Sequence, residues 1–302
     1  MSPAPGTLAP DLRARAEGLG AALPPLLAEA EHLASTVMLG EHGRRRPGMG
    51  DDFWQYRPAH PGDSARSIDW RRSARSDAHF VRELEWQAAQ SVSLWIDQGA
   101  SMRFASKGLP EKADRARLLG LALAILLLRG GERVGLAHAG NDPVTAIAPR
   151  SGRAQSTVLA EALALSTAPE DYAPPLTAGI ESRSMVVFLS DFLGDLAPIR
   201  RAMDEVAGRS ARAVLVQVLD PSEEAFPFAG RVIFQSMGGS LRHETRQAGD
   251  LRSRYRDRLA ERQDELERLA RHSGGRFHVL HTDAPVAVGL QWLYRAVEGG
   301  RG

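Results

Sequence analysis

The chain has 302 residues and a formal net charge of +1, so no global field draws it to nucleic acid or to an anionic membrane. It contains no Cys, which excludes disulfides, thiolate metal sites and a Cys nucleophile. The first residues lack the pattern of a signal peptide, and the longest near-apolar run, 118–128, is shorter than the roughly 20 residues of a membrane span. We therefore expect a cytoplasmic protein without a membrane span. Basic residues are nearly all Arg, since Lys occurs only at positions 107 and 112.

The first 40 residues are predicted to be a helical segment. Apolar residues recur at helical spacing over 11–39, with an interruption at Pro24 and Pro25, and Gly40 ends the run. Residues 41–87 have another character and are rich in Arg, acidic and aromatic side chains. There we predict short strands near 52–57 and 79–86, with a turn at Pro61 and Gly62. This stretch is a small β-rich element that precedes the main sheet.

Residues 88–297 alternate between strands and helices, which favours a parallel sheet with helices on both faces. The predicted strands are 91–97, 132–138, 143–148, 184–190, 212–219 and 276–281. The predicted helices are 111–129, 153–165, 195–207, 249–272 and 285–297. Between 220 and 248 two short stretches flank Gly238 and Gly239, and they predict a hairpin insertion. The predicted fold class is α/β with a mostly parallel sheet.

Two of the predicted strands end in an Asp. Strand 91–97 runs into a loop that holds Asp97 and Ser101, and strand 184–190 is followed by Asp191. Ligands of open parallel sheets bind at the carboxyl ends of the strands, so the two carboxylates meet if these strands are neighbours. Carboxylate and hydroxyl oxygens suit Mg²⁺. Alternatively, the two Asp residues cap turns and helix N-termini.

This loop resembles that of the von Willebrand factor type A fold, which is a Rossmann-like, mostly parallel sheet. That fold carries an Asp-x-Ser-x-Ser loop, a distal Thr and a further Asp, which together form a metal-ion-dependent adhesion site. The resemblance implies that Asp97, Ser101 and Asp191 hold Mg²⁺, with Thr177 as the nearest candidate for the Thr. Gly99 stands where the first Ser ligand belongs, so the implied site is degenerate. In such a site a carboxylate from a partner protein completes the shell of the metal.

A more specific resemblance lies in the 41–87 element. Its runs include Arg44-Arg45-Arg46, Pro61-Gly62-Asp63, Ile68-Asp69-Trp70 and Val81-Arg82-Glu83. They are similar to the signature of domain-of-unknown-function family 58, in which this stretch precedes a type A domain. Further similar runs, Leu189-Ser190-Asp191-Phe192 and Asp220-Pro221-Ser222-Glu223, extend the resemblance over nearly the whole chain from about 40 to 297. The resemblance implies an adaptor that acts beside a MoxR-type AAA+ ATPase in the assembly of other proteins or in metal insertion.

The charges of residues 41–85 are nearly balanced, with nine Arg and eight acidic residues. A nucleic-acid surface should be one-sided in charge, because its affinity comes from neutralising phosphates. Balanced Arg and acidic residues favour ion pairs that fix an irregular loop, which is a structural role. The functional alternative is a docking surface, because Arg and Trp are frequent hot-spot residues. Its candidates are Arg44, Arg57, Arg66, Asp69, Trp70, Arg71 and Arg75.

We predict a non-enzymatic adaptor that binds a protein partner of the MoxR-type AAA+ class. One alternative is a metal-dependent phosphoryl-transfer enzyme, because two Asp residues at a sheet edge can hold a catalytic metal. No Walker P-loop and no general base is apparent in the sequence. A second alternative is a nucleic-acid-binding protein that uses the Arg-rich stretch 44–75, against which the charge balance argues.

Overall fold

The computed structural model of the chain describes residues 25–37, 53–60, 68–74, 79–84, 89–138, 145–165 and 170–299. The chain divides into two compact units. The larger unit comprises residues 1–40 and 90–302, and the smaller unit comprises residues 41–89.

Within the described parts, helix α1 spans residues 25–37 of the larger unit. In the smaller unit, strands β1 (Phe53–Pro58) and β2 (Phe80–Leu84) pair antiparallel, and the one-turn helix α2 (Trp70–Ser73) lies between them in the chain. The two strands lie close to the positions predicted from the sequence, because their aromatic and β-branched residues suit a pleated ribbon.

A six-stranded sheet forms the centre of the larger unit. Its strands are β3 (Ser91–Ile96), β4 (Arg133–His138), β5 (Thr145–Arg150), β6 (Met185–Ser190), β7 (Arg212–Leu219) and β10 (Arg276–His281). The strand order is β10-β7-β6-β3-β4-β5, and all neighbours are parallel except β4 and β5. All residues of β3 and β6 are buried, as expected for strands of a sheet that is covered on both faces. The predicted α/β class with a mostly parallel sheet is confirmed.

Helices cover both faces of this sheet. They are α3 (Lys112–Arg129), α4 (Ala154–Leu165), α5 (Leu196–Gly208), α6 (Pro221–Ala225), α7 (Arg252–His272) and α8 (Val286–Glu298). Alternate residues of each strand point to opposite faces, so Val187 and Leu189 pack with α1, α3, α4 and α8, whereas Val186 and Phe188 pack with α5 and α7. Helix α3 is buried throughout 118–128 and is the central helix of its layer. Among the described residues, no helix has the length and apolar character needed to cross a membrane.

The strand order creates a crevice at the carboxyl ends of the central strands, which we call the carboxyl edge of the sheet. The chain passes from β3 to β4 on one side, and from β6 to β7 on the other, although β3 and β6 are neighbours. Connections that leave in opposite directions open a crevice at the carboxyl ends of the two strands. Asp97 directly follows β3 and Asp191 directly follows β6, so both lie at this point. The short strands β8 (Val232–Gln235) and β9 (Arg242–Thr245) form the antiparallel hairpin predicted between 220 and 248.

Candidate functional site

Asp97 begins the loop at the crevice, and its side chain is only 2% exposed. Its Oδ1 accepts a hydrogen bond from the backbone N–H of Gly99 (2.7 Å). Its Oδ2 accepts one from the hydroxyl of Ser190 at the end of β6 (2.6 Å). The backbone N–H of Asp97 donates to the carbonyl of Leu189 (2.9 Å). Both carboxylate oxygens are therefore engaged, and the loop is tied to the neighbouring strand.

Asp191 occupies the matching position after β6 and is 1% exposed. Its Oδ1 accepts a hydrogen bond from the backbone N–H of Leu193 (3.0 Å), and its Oδ2 lies 2.9 Å from the Nζ of Lys112. The side chain of Gln217 on β7 donates to the backbone carbonyl of Asp191 (2.8 Å). The next residue, Phe192, is buried and has a φ of 50°, which is rare for a residue other than Gly. Such strained backbone persists only where the surroundings hold it, as these bonds do here.

Lys112, the first residue of α3, brings an ammonium group to the same buried edge. Its side chain is fully buried, and its Nζ lies 2.9 Å from Asp191 Oδ2 and 2.6 Å from Glu223 Oε1. The Nζ is also 5.8 Å from the centre of the Phe104 ring. A buried ion costs several kcal/mol unless opposite charges and hydrogen bonds compensate for it. Here two carboxylates do so, and we call Asp97, Lys112, Asp191 and Glu223 the buried ion cluster.

The short helix α6 holds Glu223 in position. The Asp220 carboxylate accepts a hydrogen bond from the N–H of Ser222 (2.9 Å), and Glu223 Oε2 accepts one from the N–H of Asp220 (2.9 Å). These reciprocal bonds form a capping box. The other oxygen of Glu223 is then directed to Lys112. The backbone N–H of Ser106 donates to Asp220 (2.7 Å), so the segment that precedes α3 is also attached to α6.

Segment 170–173 packs against the loop that follows β3. The backbone N–H of Ser101 donates to the carbonyl of Asp171 (2.8 Å). A Cβ atom at Gly99 would lie 2.9 Å from the Ala173 nitrogen and 3.0 Å from the Asp171 carbonyl oxygen, so only Gly fits this position without rearrangement. The Ser101 hydroxyl is buried and has no hydrogen-bond partner among the residues that the structure describes.

Burial and mutual repulsion shift the titration of the cluster. Burial, followed by the charge of Asp191, raises the pKa of Asp97 to about 7. Burial by itself lowers the pKa of Lys112, but the carboxylates of Asp191 and Glu223 outweigh it and raise that pKa, so the ammonium stays charged. Burial raises the pKa of Glu223 against the opposing effect of Lys112. Near neutral pH, protonation thus relieves part of the excess negative charge.

Thr177, the candidate for the distal Thr, is not brought to this edge. Its hydroxyl bonds to Glu205 on α5 (2.5 Å), and its carbonyl accepts a hydrogen bond from Arg209 (2.9 Å). Arg209 follows α5 and precedes β7, and its own carbonyl binds the N–H of Arg183 just before β6. Thr177 therefore lies near the amino ends of β6 and β7, whereas the structure brings Asp97, Ser101 and Asp191 to the carboxyl ends.

The smaller unit contains the predicted partner-binding residues, of which the structure describes a part. Trp70 is 56% exposed, and its ring contacts that of His79 edge to face (5.4 Å between centroids). Arg71 is exposed, and its backbone N–H donates to the Asp69 carboxylate (3.1 Å). Arg57 lies in β1. Arg44, Arg66 and Arg75 lie outside the described residues.

The β8–β9 hairpin presents apolar side chains to solvent beside the ion cluster. Ile233, Met237 and Leu241 are 47%, 46% and 60% exposed. The Asp171 carboxylate accepts hydrogen bonds from three groups of the hairpin loop, namely the Ser236 hydroxyl, the Gly238 N–H and the Ser240 hydroxyl. Because the carbonyl of Asp171 also binds Ser101, the hairpin is fixed to the same edge of the sheet that carries the cluster.

An aromatic cavity adjoins the base of this hairpin. Phe226 ends α6 with a φ of 47°, and its ring packs against Phe234 of β8 (5.5 Å between centroids) and Tyr255 of α7 (4.8 Å). Together with Leu251 and neighbouring polar side chains, these rings line a cavity of about 390 Å³. Helix α6 therefore carries Glu223 of the ion cluster within its length and a wall of the cavity at its end.

The residues of this edge do not fit the Mg²⁺ that the resemblance implies. Mg²⁺ requires oxygen ligands in near-octahedral geometry. Both oxygens of Asp97 are engaged by the chain, and one oxygen of Asp191 faces an ammonium group. Gly99 supplies no oxygen and leaves no room for a side chain that would. Within the described ranges, no group of three or more His, Cys, Asp or Glu is arranged to hold a metal ion.

Sequence reasoning did not identify Lys112 as part of the site. One signal was available, since Lys112 is one of only two lysines in an Arg-rich chain and it begins the most apolar helix. In the sequence, Glu223 stands out only as part of the run Asp220-Pro221-Ser222-Glu223, which resembles a family pattern. The spacing of Asp220 and Glu223 is that of a capping box, which would have placed Glu223 at the start of a helix after β7.

Comparison with known sequences finds one family. The model of the family described as "Protein of unknown function DUF58" matches residues 55–265. The uncharacterized protein Mb1516 from Mycobacterium bovis is 29% identical over 273 residues, which cover 88% of this chain and 85% of that protein. The same values hold for the uncharacterized protein Rv1480 from Mycobacterium tuberculosis.

Comparison with solved structures finds more distant similarity. BatB from Bacteroides thetaiotaomicron, a conserved hypothetical protein, is 13% identical with a TM-score of 0.44, covering 70% of this chain and 98% of that one. An aerotolerance-related membrane protein from Bacteroides fragilis is 14% identical with a TM-score of 0.43. The match covers 70% of this chain and 100% of that protein. The cytoplasmic location predicted from the sequence is withdrawn, because one of these structures is described as that of a membrane protein. The membrane description concerns the Bacteroides fragilis protein and assigns no location to this chain.

Proposed function

We propose that this chain, which belongs to the DUF58 family of proteins of unknown function, is a non-enzymatic adaptor. Its proposed protein partner is a MoxR-type AAA+ ATPase. The proposal includes the finer assignment of the sheet to the von Willebrand factor type A class. The observation that carries it is the β8–β9 hairpin, which exposes Ile233, Met237 and Leu241 together at the carboxyl edge of the sheet. Single exposed apolar residues are ordinary, whereas a group of them on one hairpin is typical of an interaction site.

The rigidity of the hairpin supports a docking role. Its loop is fixed by the hydrogen bonds to Asp171, and its base packs on the aromatic rings of Phe226 and Tyr255. A preorganised surface loses little conformational entropy on binding, so more of the contact energy remains as affinity. The neighbouring cavity offers a recess for an apolar or aromatic side chain of the partner, in the way that interface anchors are usually buried.

The ion cluster favours the non-enzymatic class over phosphoryl transfer. A general base or a metal ligand needs an accessible lone pair. The carboxylates of Asp97 and Asp191 are buried, and all four of their oxygens accept hydrogen bonds from the chain itself. Hydrolysis of a phosphate ester that is lost in Asp97→Asn, with the fold intact, would replace the adaptor by the enzyme alternative.

A site-specific cross-link tests the proposed surface. A photoreactive side chain is placed at position 241 on the hairpin or, as the control, at position 288 on α8, where Val288 is similarly exposed (61%). Each protein is irradiated with the purified MoxR-type ATPase encoded by the same genome. We expect a cross-linked product from position 241 and none from position 288. Equal yields from both positions, or none from position 241, would contradict docking through the hairpin.

The smaller unit offers a second surface, which carries the exposed Trp70 and Arg71. Trp and Arg are the residues most often found as interface hot spots. If this surface contributes, Trp70→Ala weakens binding of the same ATPase at least tenfold, while the hairpin cross-link persists. Unchanged affinity in Trp70→Ala would assign this unit a structural role.

A further inference from the structure

We propose that the aromatic cavity at the base of the β8–β9 hairpin is the anchor site for an acidic peptide segment of the partner protein. One aromatic side chain of that segment, a Trp or a Phe, fills the cavity, and the Asp or Glu residues on either side of it bind the rim. The inference rests on the proposed docking at the hairpin and adds the chemistry of the segment that docks.

The walls of the cavity are the first observation. The rings of Phe226, Phe234 and Tyr255 and the side chain of Leu251 supply its apolar lining, and its volume is about 390 Å³. This volume lies near the lower end of the roughly 300–1,000 Å³ that is typical of ligand pockets. Aromatic rings favour stacked or edge-to-face contact with another ring. The cavity therefore suits a single aromatic side chain.

These walls are fixed within the chain itself. The side chain of Arg252 donates a hydrogen bond to the carbonyl of Phe226 (2.9 Å). The ring of Phe228 packs edge to face on both Phe226 and Phe234, at 5.2 and 5.3 Å between centroids. A cavity that is already formed loses little conformational entropy when a side chain enters it.

The positive charge of the rim is the second and independent observation. Arg254 and Arg258 line the cavity from α7, and because they are four positions apart they lie on the same face of that helix. Among the described residues, no Asp or Glu lines the cavity. Arg254 has no ion pair in the described parts of the chain, and Arg258 has only a loose one with Glu261 (3.9 Å).

An anion at the rim would satisfy these two guanidinium groups. Like charges four positions apart repel each other on a helix, and a carboxylate between them removes that repulsion. Guanidinium groups bind carboxylates through paired hydrogen bonds. His243, which also lines the cavity, faces Phe234 across the hairpin and adds a further hydrogen-bonding group. The acidic residue of the hairpin, Glu244, faces Ile233 instead and is paired with Arg231.

The exposure of the rim favours a peptide over a free small molecule. The side chain of Arg258 is 79% exposed, and Arg254 and His243 are exposed as well. A small-molecule site encloses most of its ligand, including the polar groups. A peptide instead inserts one side chain and leaves its neighbours on the surface, where the two Arg side chains can reach them.

Fluorescence anisotropy with labelled synthetic peptides tests the anchor site on the full chain. The probe peptide has one Trp between three acidic residues on each side; one matched peptide has Ala in place of the Trp, and another has Lys in place of the acids. We expect saturable binding of the probe, with Kd raised about tenfold or more by either change. Equal affinity for the probe and the Lys peptide, or no saturable binding of the probe, would overturn the proposal.

Charge reversal on α7 locates the binding. Arg254→Glu combined with Arg258→Glu should weaken the probe by about tenfold or more, and circular dichroism checks that this exposed change leaves the fold intact. The control combines Arg201→Glu with Arg256→Glu, which has the same net charge and alters exposed residues that do not line the cavity. Its affinity should stay within about twofold of wild type. Equal loss in both variants would overturn the site.

Two further outcomes separate this proposal from others. Binding to phosphatidylglycerol vesicles that requires Arg254 and Arg258, without saturable binding of the probe, would overturn it in favour of an anionic membrane. The peptide assay contains no ATPase, so probe binding by a chain that does not bind the ATPase would refute the partner and support the anchor site. ATPase binding that the α7 variant leaves unchanged would overturn the anchor site while the adaptor function stands.

Discussion

Replacing Lys112 by Met is expected to destabilise the larger unit by about 3–5 kcal/mol near neutral pH. Met keeps most of the length of the buried stem, so little packing is lost, but Asp191 and Glu223 then remain buried without their cation. Removing one partner of a buried ion pair costs this much because the other charge is left uncompensated. The loss is a large part of the roughly 5–15 kcal/mol that stabilises a typical protein.

The assay is urea unfolding at several pH values, followed by circular dichroism. The control is Lys107→Met, which removes the other lysine of the chain from an exposed position and should change stability by less than about 0.5 kcal/mol. The effect of Lys112→Met should shrink as the pH falls, because burial raises the pKa of Glu223 and protonation then neutralises that stranded carboxylate. Adding Glu223→Gln should recover part of the loss at pH 8. Equal stability of the two single variants at pH 8 would refute the role assigned to the ion cluster.

Three further substitutions test other residues that the sequence analysis singles out. The pKa of Asp97 is raised from 3.8 to about 7 in the folded protein, so between these pH values the folded protein holds a proton that the unfolded chain has released. The resulting stabilisation is complete below about pH 4 and is lost as the pH rises to about 7. It amounts to at most about 4 kcal/mol. Denaturant titrations should show a flatter pH profile in Asp97→Asn, and an unchanged profile would contradict the shift. Gly99→Ser should lower Tm by several degrees, since its Cβ meets backbone at 2.9 Å. Thr177→Val removes a hydrogen bond to Glu205 away from the ion cluster, so it should leave the pH profile of unfolding as in wild type. A flattened profile like that of Asp97→Asn would place Thr177 at the cluster.

The fold could be predicted because each level of the sequence points the same way. The apolar run of 185–189 is too short for an ordinary helix and contains two Val and one Phe, so it predicts a buried strand. The regular alternation with helices then leaves few topologies other than a parallel sheet. Asp97 and Asp191 could be assigned to one edge because neighbouring parallel strands end on the same side, and the pairing of β3 with β6 meets that condition.

The remainder of the site depends on contacts that no local pattern contains. Lys112 precedes its partners Asp191 and Glu223 by 79 and 111 positions in the chain, and the three meet only because α3 and α6 both begin at the carboxyl edge of the sheet. Thr177 is the Thr nearest to β6 in the sequence, and that nearness is the only ground on which the sequence predicts it as a ligand. The hydrogen bond from Arg209 fixes it at the other end of that strand, which sequence distance cannot reveal.

The most direct test of the proposed function is the affinity of the intact protein for the purified MoxR-type ATPase, measured by titration calorimetry with and without EDTA. We predict saturable binding that EDTA does not alter. The double substitution Ile233→Ser with Leu241→Ser should weaken it at least tenfold, or about 1.4 kcal/mol, while Val288→Ser binds as wild type does. No binding by wild type, or equal affinity of the hairpin variant and wild type, would contradict the adaptor function and its surface.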